Sequence, residues 1–192
     1  MKTIYILLTN TGTITSRLIR KFSDLEYTHS CISLDGYNFY SFSRKYTYLI
    51  LPAGMVIENT DKGGLKRFSN RNCVLYKLDI EDKKYNKLDK VINKMMKNTK
   101  LRYNILGLLC CRLGFAFERQ NHMFCSEFVC WVLAKSDIIY LEKSRSLYKP
   151  SDLMQIDGIE EAYKGTLFEL DKFLKSKKEG WSLPFLLHKH LL

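Results

Sequence analysis

A chain of 192 residues, 46% hydrophobic and 27% charged, is long enough to bury its own core, which excludes a disordered chain and a small scaffold held by disulfides or metal. The formal net charge of +11 is uneven: residues 61–100 carry twelve Lys/Arg against five Asp/Glu. Such a basic face would attract an anionic membrane surface, nucleic acid or an acidic partner, and a solvated lysine-rich helix looks the same in sequence.

In chain order, Thr3 to Thr9 reads as a buried strand, with five successive apolar residues from Ile4 to Leu8. Gly12 turns the chain, and Thr13 or Thr15 caps a short helix whose apolar face is Leu18, Ile19 and Phe22. Thr28 to Leu34 and Phe39 to Ser43 flank the turn dipeptide Asp35-Gly36 and form a hairpin. Further strands are expected at Tyr46 to Leu51, closed by Pro52, and at Cys73 to Leu78. Residues 83–98 have the spacing of an amphipathic helix, with Tyr85, Leu88, Val91, Ile92, Met95 and Met96 on one face and lysines on the other.

Two more helices are expected, over Tyr103 to Leu113 and from Cys125 through Leu133, and Lys149-Pro150-Ser151-Asp152 starts a turn or short helix. A strand and helix, a β-rich middle and then helices make the fold class α+β, with an antiparallel sheet packed on helices. No repeat or Pro/Gly/Ser-rich linker divides the chain. A single domain over 1–192 is expected, with 165–192 a C-terminal extension whose apolar end, from Trp181, has no evident role.

No secretory signal or apolar run of spanning length is present, so a cytoplasmic location is expected. The six cysteines (31, 73, 110, 111, 125 and 130) are then free thiols, mostly core. Without a Cys-x-x-Cys, no metal site or cofactor is expected.

Cys125 stands apart because it lies at the start of an apolar helix. There the helix dipole favours a thiolate, and unpaired backbone N–H groups can receive an oxyanion. A thiolate nucleophile needs a proton carrier. Among the four histidines, His29 begins a strand among small residues, whereas His122 sits three residues before Cys125 and His188 and His190 lie in the tail. In the hairpin, His29 falls opposite about positions 42–44, so Ser41 or Ser43 can share its face and orient the ring.

Tyr27-Thr28-His29-Ser30-Cys31-Ile32-Ser33-Leu34-Asp35, then Tyr40-Ser41-Phe42-Ser43-Arg44-Lys45, and later Phe124-Cys125-Ser126-Glu127-Phe128-Val129 resemble the circularly permuted NlpC/P60 superfamily. These papain-fold proteins include the YiiX-like and lecithin:retinol acyltransferase-like families. Pro150-Ser151-Asp152-Leu153 has the look of their Pro-x-Asp/Glu-Leu segment, and the likeness spans roughly residues 25–155. The resemblance implies a papain-like fold in permuted order, with Cys125 the nucleophile, His29 the general base and Ser41 the third member. It also implies an oxyanion hole made by the Cys125 N–H and a second donor, from Gln120, Asn121 or Asn10.

The implied function is a cysteine amidase, peptidase or acyltransferase working through a thioester on a peptide, amide or acyl substrate. The alternatives are an inactive papain-fold binding protein, or a protein that uses Lys83–Lys100 on an anionic membrane or nucleic acid. Against nucleic acid stands the absence of an aromatic platform or a known motif. Glu127 reads as a helix N-terminal acid.

Overall fold

The computed structural model describes residues 1–10, 26–44 and 53–186, with side chains described through residue 177. The expected helix around Leu18 to Phe22 and the expected strand Tyr46 to Leu51 lie outside the described residues. What is described is a mixed α+β structure in which an antiparallel sheet is packed with helices.

The strands are β1 (Lys2–Thr9), β2 (His29–Ser33), β3 (Phe39–Arg44), β4 (Ala53–Glu58), β5 (Asn72–Ile80) and, after the helices, β8 (Glu160–Thr166). They form one six-stranded sheet in the order β4-β3-β2-β1-β5-β8, and every neighbouring pair is antiparallel. The apolar run of β1 is buried because this strand is central, with β2 on one side and β5 on the other. Arg102–Tyr103 and His122–Met123 form a separate two-stranded parallel ladder, β6 and β7.

The hairpin forms where expected, although its turn is longer than two residues. The Asp35 carboxylate accepts the N–H groups of Tyr37 (2.9 Å) and Asn38 (2.7 Å), and Gly36 adopts φ +72°, the left-handed region where a side chain is strained. The pairs Ile32↔Tyr40 and Ser33↔Phe39, counted on along the strands, place His29 level with Ser43.

Period-two alternation sends the two faces of the sheet into two cores. On one face Ile4, Ile6, Leu8, Ile32, Phe42, Val74 and Leu78 meet helices α2 (Asp82–Met96) and α4 (Cys125–Lys135). Leu88, Ile92 and Met95 of α2 are buried there, whereas Met96, expected on the same face, is 37% exposed. From α4 come Phe128, Val129, Val132 and Leu133, all 0% exposed.

On the other face Leu7, Cys31, Phe39, Cys73 and Leu75 meet Leu65 of the short helix α1 (Gly63–Arg67) and Leu167 and Leu170 of α5 (Leu167–Leu186). The segment set apart in the sequence from residue 165 thus begins inside β8, where Gly165 and Thr166 pair with Cys73 and Asn72. The remaining helix, α3 (Ile105–Arg112), starts later than expected because Tyr103 belongs to β6, and two 3₁₀ turns follow α4 at Arg145–Leu147 and Pro150–Gln155.

The ring of Phe128 on α4 packs against Phe42 of β3 with centroids 5.3 Å apart, and both rings are 0% exposed. This contact holds the Cys125 helix against the sheet. Phe128→Ala is expected to lower unfolding free energy by about 3–5 kcal/mol, read by urea denaturation. Leu106→Ala, at a half-exposed position, should stay within about 0.5 kcal/mol of the parent.

Candidate active site

Cys125 is the first residue of α4, so its sulfur sits at the positive end of the helix dipole. It is 3% exposed, and its thiol interacts electrostatically with the His29 side chain and with the backbone of Ser30 and Ser126. The two sequence candidates, 96 positions apart, therefore meet.

The third group is one that the sequence reading did not select. The Glu58 carboxylate, at the end of β4, lies 2.7 Å from His29 Nε2. Both side chains are nearly enclosed, at 9% and 11% exposed. Ser41, the expected orienter, does not hold the ring: its hydroxyl donates to the Ser30 carbonyl at 2.7 Å. Ser43 helps to hold the Glu58 carboxyl below its usual value, so it acts on the carboxylate and not on the imidazole directly.

The electrostatics follow from this enclosure. Burial pulls the His29 pKa down, but the Glu58 carboxylate opposes it, the Cys31 and Cys125 sulfurs add to that, and the net position is well above the ordinary histidine value. Burial would raise Cys125, yet its hydrogen bond and charge interaction with His29 and the two backbone donors bring it below an ordinary thiol. Burial likewise raises Glu58, and His29 overrides it, leaving the carboxyl below its usual value. The three shifts share one cause, the mutual interaction of an imidazole with a carboxyl and a thiol, each favouring the charged form of its neighbour.

Tyr103 was also missed. Burial first, with the charge of Cys125 next, pushes the Tyr103 pKa far up. The phenol therefore keeps its proton and is a potential donor beside the sulfur. Cys31 is the second thiol at the site: two residues from His29 on the same strand face, it is hydrogen-bonded to His29 and lies 3.6 Å from Glu58 Oε2. His29, Cys31 and Glu58 offer one nitrogen, one sulfur and one oxygen within 4.8 Å of one another, a set of atoms able to hold a metal ion.

The oxyanion candidates sit differently. Gln120 is exposed, and its backbone carbonyl pairs with His122 Nδ1 at 2.8 Å. Asn10 is half-buried at the end of β1, and its N–H donates to the Asn72 carbonyl at 3.1 Å. Asn121 has φ 59°, and its carbonyl accepts the Arg102 N–H at 2.8 Å, so its backbone builds the β6–β7 ladder.

Glu127 is a cap, as its position suggested. Its Oε2 accepts the Phe124 N–H at 3.3 Å, its Oε1 accepts Arg145 Nε at 3.1 Å, and it is 0% exposed. A cleft of about 580 Å³ opens beside the site, lined by Ala53, Arg102, Tyr103, Ile105, Leu106, Arg119 and His122. On the far helix, Lys83, Lys87, Lys90 and Lys94 face solvent, and Lys87 pairs with Asp137. Among the described residues no helix is long and apolar enough to cross a membrane.

No family model matches the chain. No curated protein matches its sequence either.

Because Cys125 is shifted down and His29 up, alkylation of Cys125 by iodoacetamide should titrate at lower pH than an ordinary thiol of about 8.5. Glu58→Gln removes the carboxylate that supports the imidazolium, so the inflection should move to higher pH; an unchanged inflection would separate Glu58 from the pair. Arg145→Met leaves a buried carboxylate unpaired and should cost about 3 kcal/mol near neutral pH. Burial already raises the folded-state pKa of Glu127, against the pull of Arg145. The folded protein therefore holds the proton more tightly than the unfolded chain, and the Arg145→Met deficit should shrink as pH falls towards 5. Urea midpoints across that range test it.

Proposed function

We propose that this protein is a cysteine-dependent hydrolase or acyltransferase with a papain-like site of the circularly permuted NlpC/P60 type. One observation carries the reading: a buried thiol at a helix N-terminus interacts electrostatically with an imidazole whose Nε2 lies 2.7 Å from a buried carboxylate. The strand histidine preceding the helix cysteine in the chain, with the antiparallel sheet between them, supports the permuted order.

In this reading Glu58 engages Nε2 and leaves Nδ1 as the nitrogen that faces the sulfur. The Cys125 thiolate attacks the carbonyl carbon of an amide or ester, and the carbon–oxygen electron pair moves onto oxygen. The oxyanion falls to the Cys125 backbone N–H and the Tyr103 hydroxyl. As the tetrahedral species collapses, the imidazolium gives its proton to the leaving amine or alcohol and a thioester remains. Water or an acceptor amine then attacks the thioester while His29 takes its proton, and the sulfur leaves as thiolate, restoring the starting pair. Glu58 keeps the ring oriented and stabilises its charged form throughout.

The adjoining cleft suits a substrate with an apolar acyl or side-chain group against Ala53, Ile105 and Leu106. A negatively charged flank would lie towards Arg102 and Arg119.

The test is a p-nitrophenyl acyl ester. The parent protein is expected to release one equivalent of nitrophenol in a burst and to carry the acyl mass on the peptide containing Cys125. Cys125→Ala should show neither, and His29→Ala should acylate about 10²–10⁴-fold more slowly. Equal acylation of a folded Cys125→Ala variant would end the proposal.

A further inference from the structure

Cys31 takes no part in the acyl transfer just described, yet it is 0% exposed and stands against the same two side chains that serve Cys125. Period-two geometry puts residues 29 and 31 of β2 on one face of the sheet. Glu58 meets them there, its Oε2 2.7 Å from His29 Nε2 and 3.6 Å from Cys31 Sγ. In a tetrahedral zinc site, bonds of about 2.0–2.3 Å put sulfur and oxygen ligands about 3.6 Å apart, and nitrogen and oxygen ligands about 3.3 Å apart. The sulfur–oxygen edge already has that length, and the nitrogen–oxygen edge needs to open by only about half an ångström. The third edge is at most 4.8 Å, so a modest turn of one side chain completes the triangle.

The geometry points to a zinc site formed by His29, Cys31 and Glu58, whose occupation switches off the neighbouring thiol. One imidazole, one thiolate and one carboxylate suit a borderline-soft ion and not magnesium or calcium, which take all-oxygen cages. The 11% exposure of the Glu58 side chain leaves an entry path, and the fourth position stays open to water. On binding, zinc accepts lone pairs from the His29 nitrogen, the Cys31 sulfur and a Glu58 oxygen. The proton of the Cys31 thiol and the second ring proton of His29 leave to solvent, so the site releases protons as it fills and weakens in acid. An imidazole committed to the metal at Nε2 loses its bond to Glu58 and no longer supports a thiolate at Cys125. Metal binding stands independently of the enzyme reading above; only the switching-off rests on it.

The probe is cobalt(II) chloride, then zinc chloride, added to the full chain. A thiolate–cobalt charge-transfer band in the near ultraviolet and one tightly bound zinc per chain are expected for the parent and for Cys125→Ala. Cys31→Ser should abolish the band, and both Cys31→Ser and Glu58→Gln should weaken zinc binding at least tenfold. Histidine-only binding elsewhere gives no such band. A band that persists in Cys31→Ser, or that is lost in Cys125→Ala while Cys31→Ser retains it, overturns the site.

Should Cys31→Ser fail to fold, X-ray absorption of the zinc-loaded parent decides: one sulfur neighbour supports the site, and none or two refutes it. Saturating zinc should slow iodoacetamide labelling of Cys125 at least tenfold in the parent, and undiminished labelling refutes the switch. Zinc bound as described in a protein that never acylates would remove the enzyme reading and leave the metal site standing.

Discussion

A buried charge must be met by other charges and donors or it will not persist, and at this site one imidazole, its pKa raised, favours the charged forms of two acids at once. His29 lies between the Glu58 carboxylate and the Cys125 sulfur, and each of the three would shift towards its neutral form if buried alone. Much of the fold serves to bring them together. β2 and β4 are not neighbours, since β3 runs between them. By the pairings, Ser41 and Ser43 of β3 lie on the same sheet face as His29 and Glu58. Two serines there leave space above the strand for a histidine and a glutamate to reach each other, which a larger side chain would fill. This gives the Ser-x-Ser pattern a role different from the one its position first suggested: Ser41 ties β3 to β2 through the Ser30 carbonyl, and Ser43 supports Glu58.

The helix end is built with the same economy. Cys125 must begin α4 for its sulfur to benefit from the dipole, so the preceding backbone must be held extended. Glu127 does this by accepting the Phe124 N–H, and Arg145 makes the buried carboxylate tolerable. Asn104 joins from the other side: it lowers the Glu127 carboxyl slightly against burial, its Oδ1 caps the Gly107 N–H at 3.0 Å, and its Nδ2 donates to the Phe117 carbonyl at 3.1 Å. A Cβ on Gly107 would fall on the Asn104 side chain, so a glycine is required at that turn. The Cys-Ser-Glu sequence therefore couples a helix-start thiol to its own structural support.

How much of this was legible follows from where the signals lie. β1, β5, α2 and the helix of Cys125 are long and strongly periodic, and their existence and type could be read directly. The hairpin announced itself by Asp35-Gly36. His29 and Cys125 were found because a strand histidine and a helix-start cysteine each occupy chemically distinctive positions. Glu58 carries no such mark: the sequence closes a strand over Tyr46 to Leu51 at Pro52, whereas β4 begins just after it, at Ala53. An acid at the end of an unrecognised strand looks like any surface glutamate. Tyr103 was hidden in the same way, read as the start of a helix when it belongs to a two-residue ladder whose partner, His122–Met123, lies far along the chain. β8 reads Glu-Glu-Ala-Tyr-Lys-Gly-Thr, and this half-exposed composition gives no alternation to detect.

The surroundings of His29 bear on why such a site is kept. The hydroxyls of Thr9, Thr28 and Ser30 are buried with no hydrogen-bond partner among the described residues, and Thr9 pairs with His29 across β1 and β2. Each buried, unsatisfied hydroxyl costs on the order of 1–3 kcal/mol, and an alanine or valine would avoid that cost. Their clustering on and beside the strand end that carries the imidazole argues that stability was not the only demand on this corner of the sheet. Thr9 stands directly across from His29 on the same sheet face, while Thr28 and Ser30, its chain neighbours, turn to the opposite face. A core selected for stability alone would place hydrocarbon at these positions, as β1 does at Leu7 and Leu8.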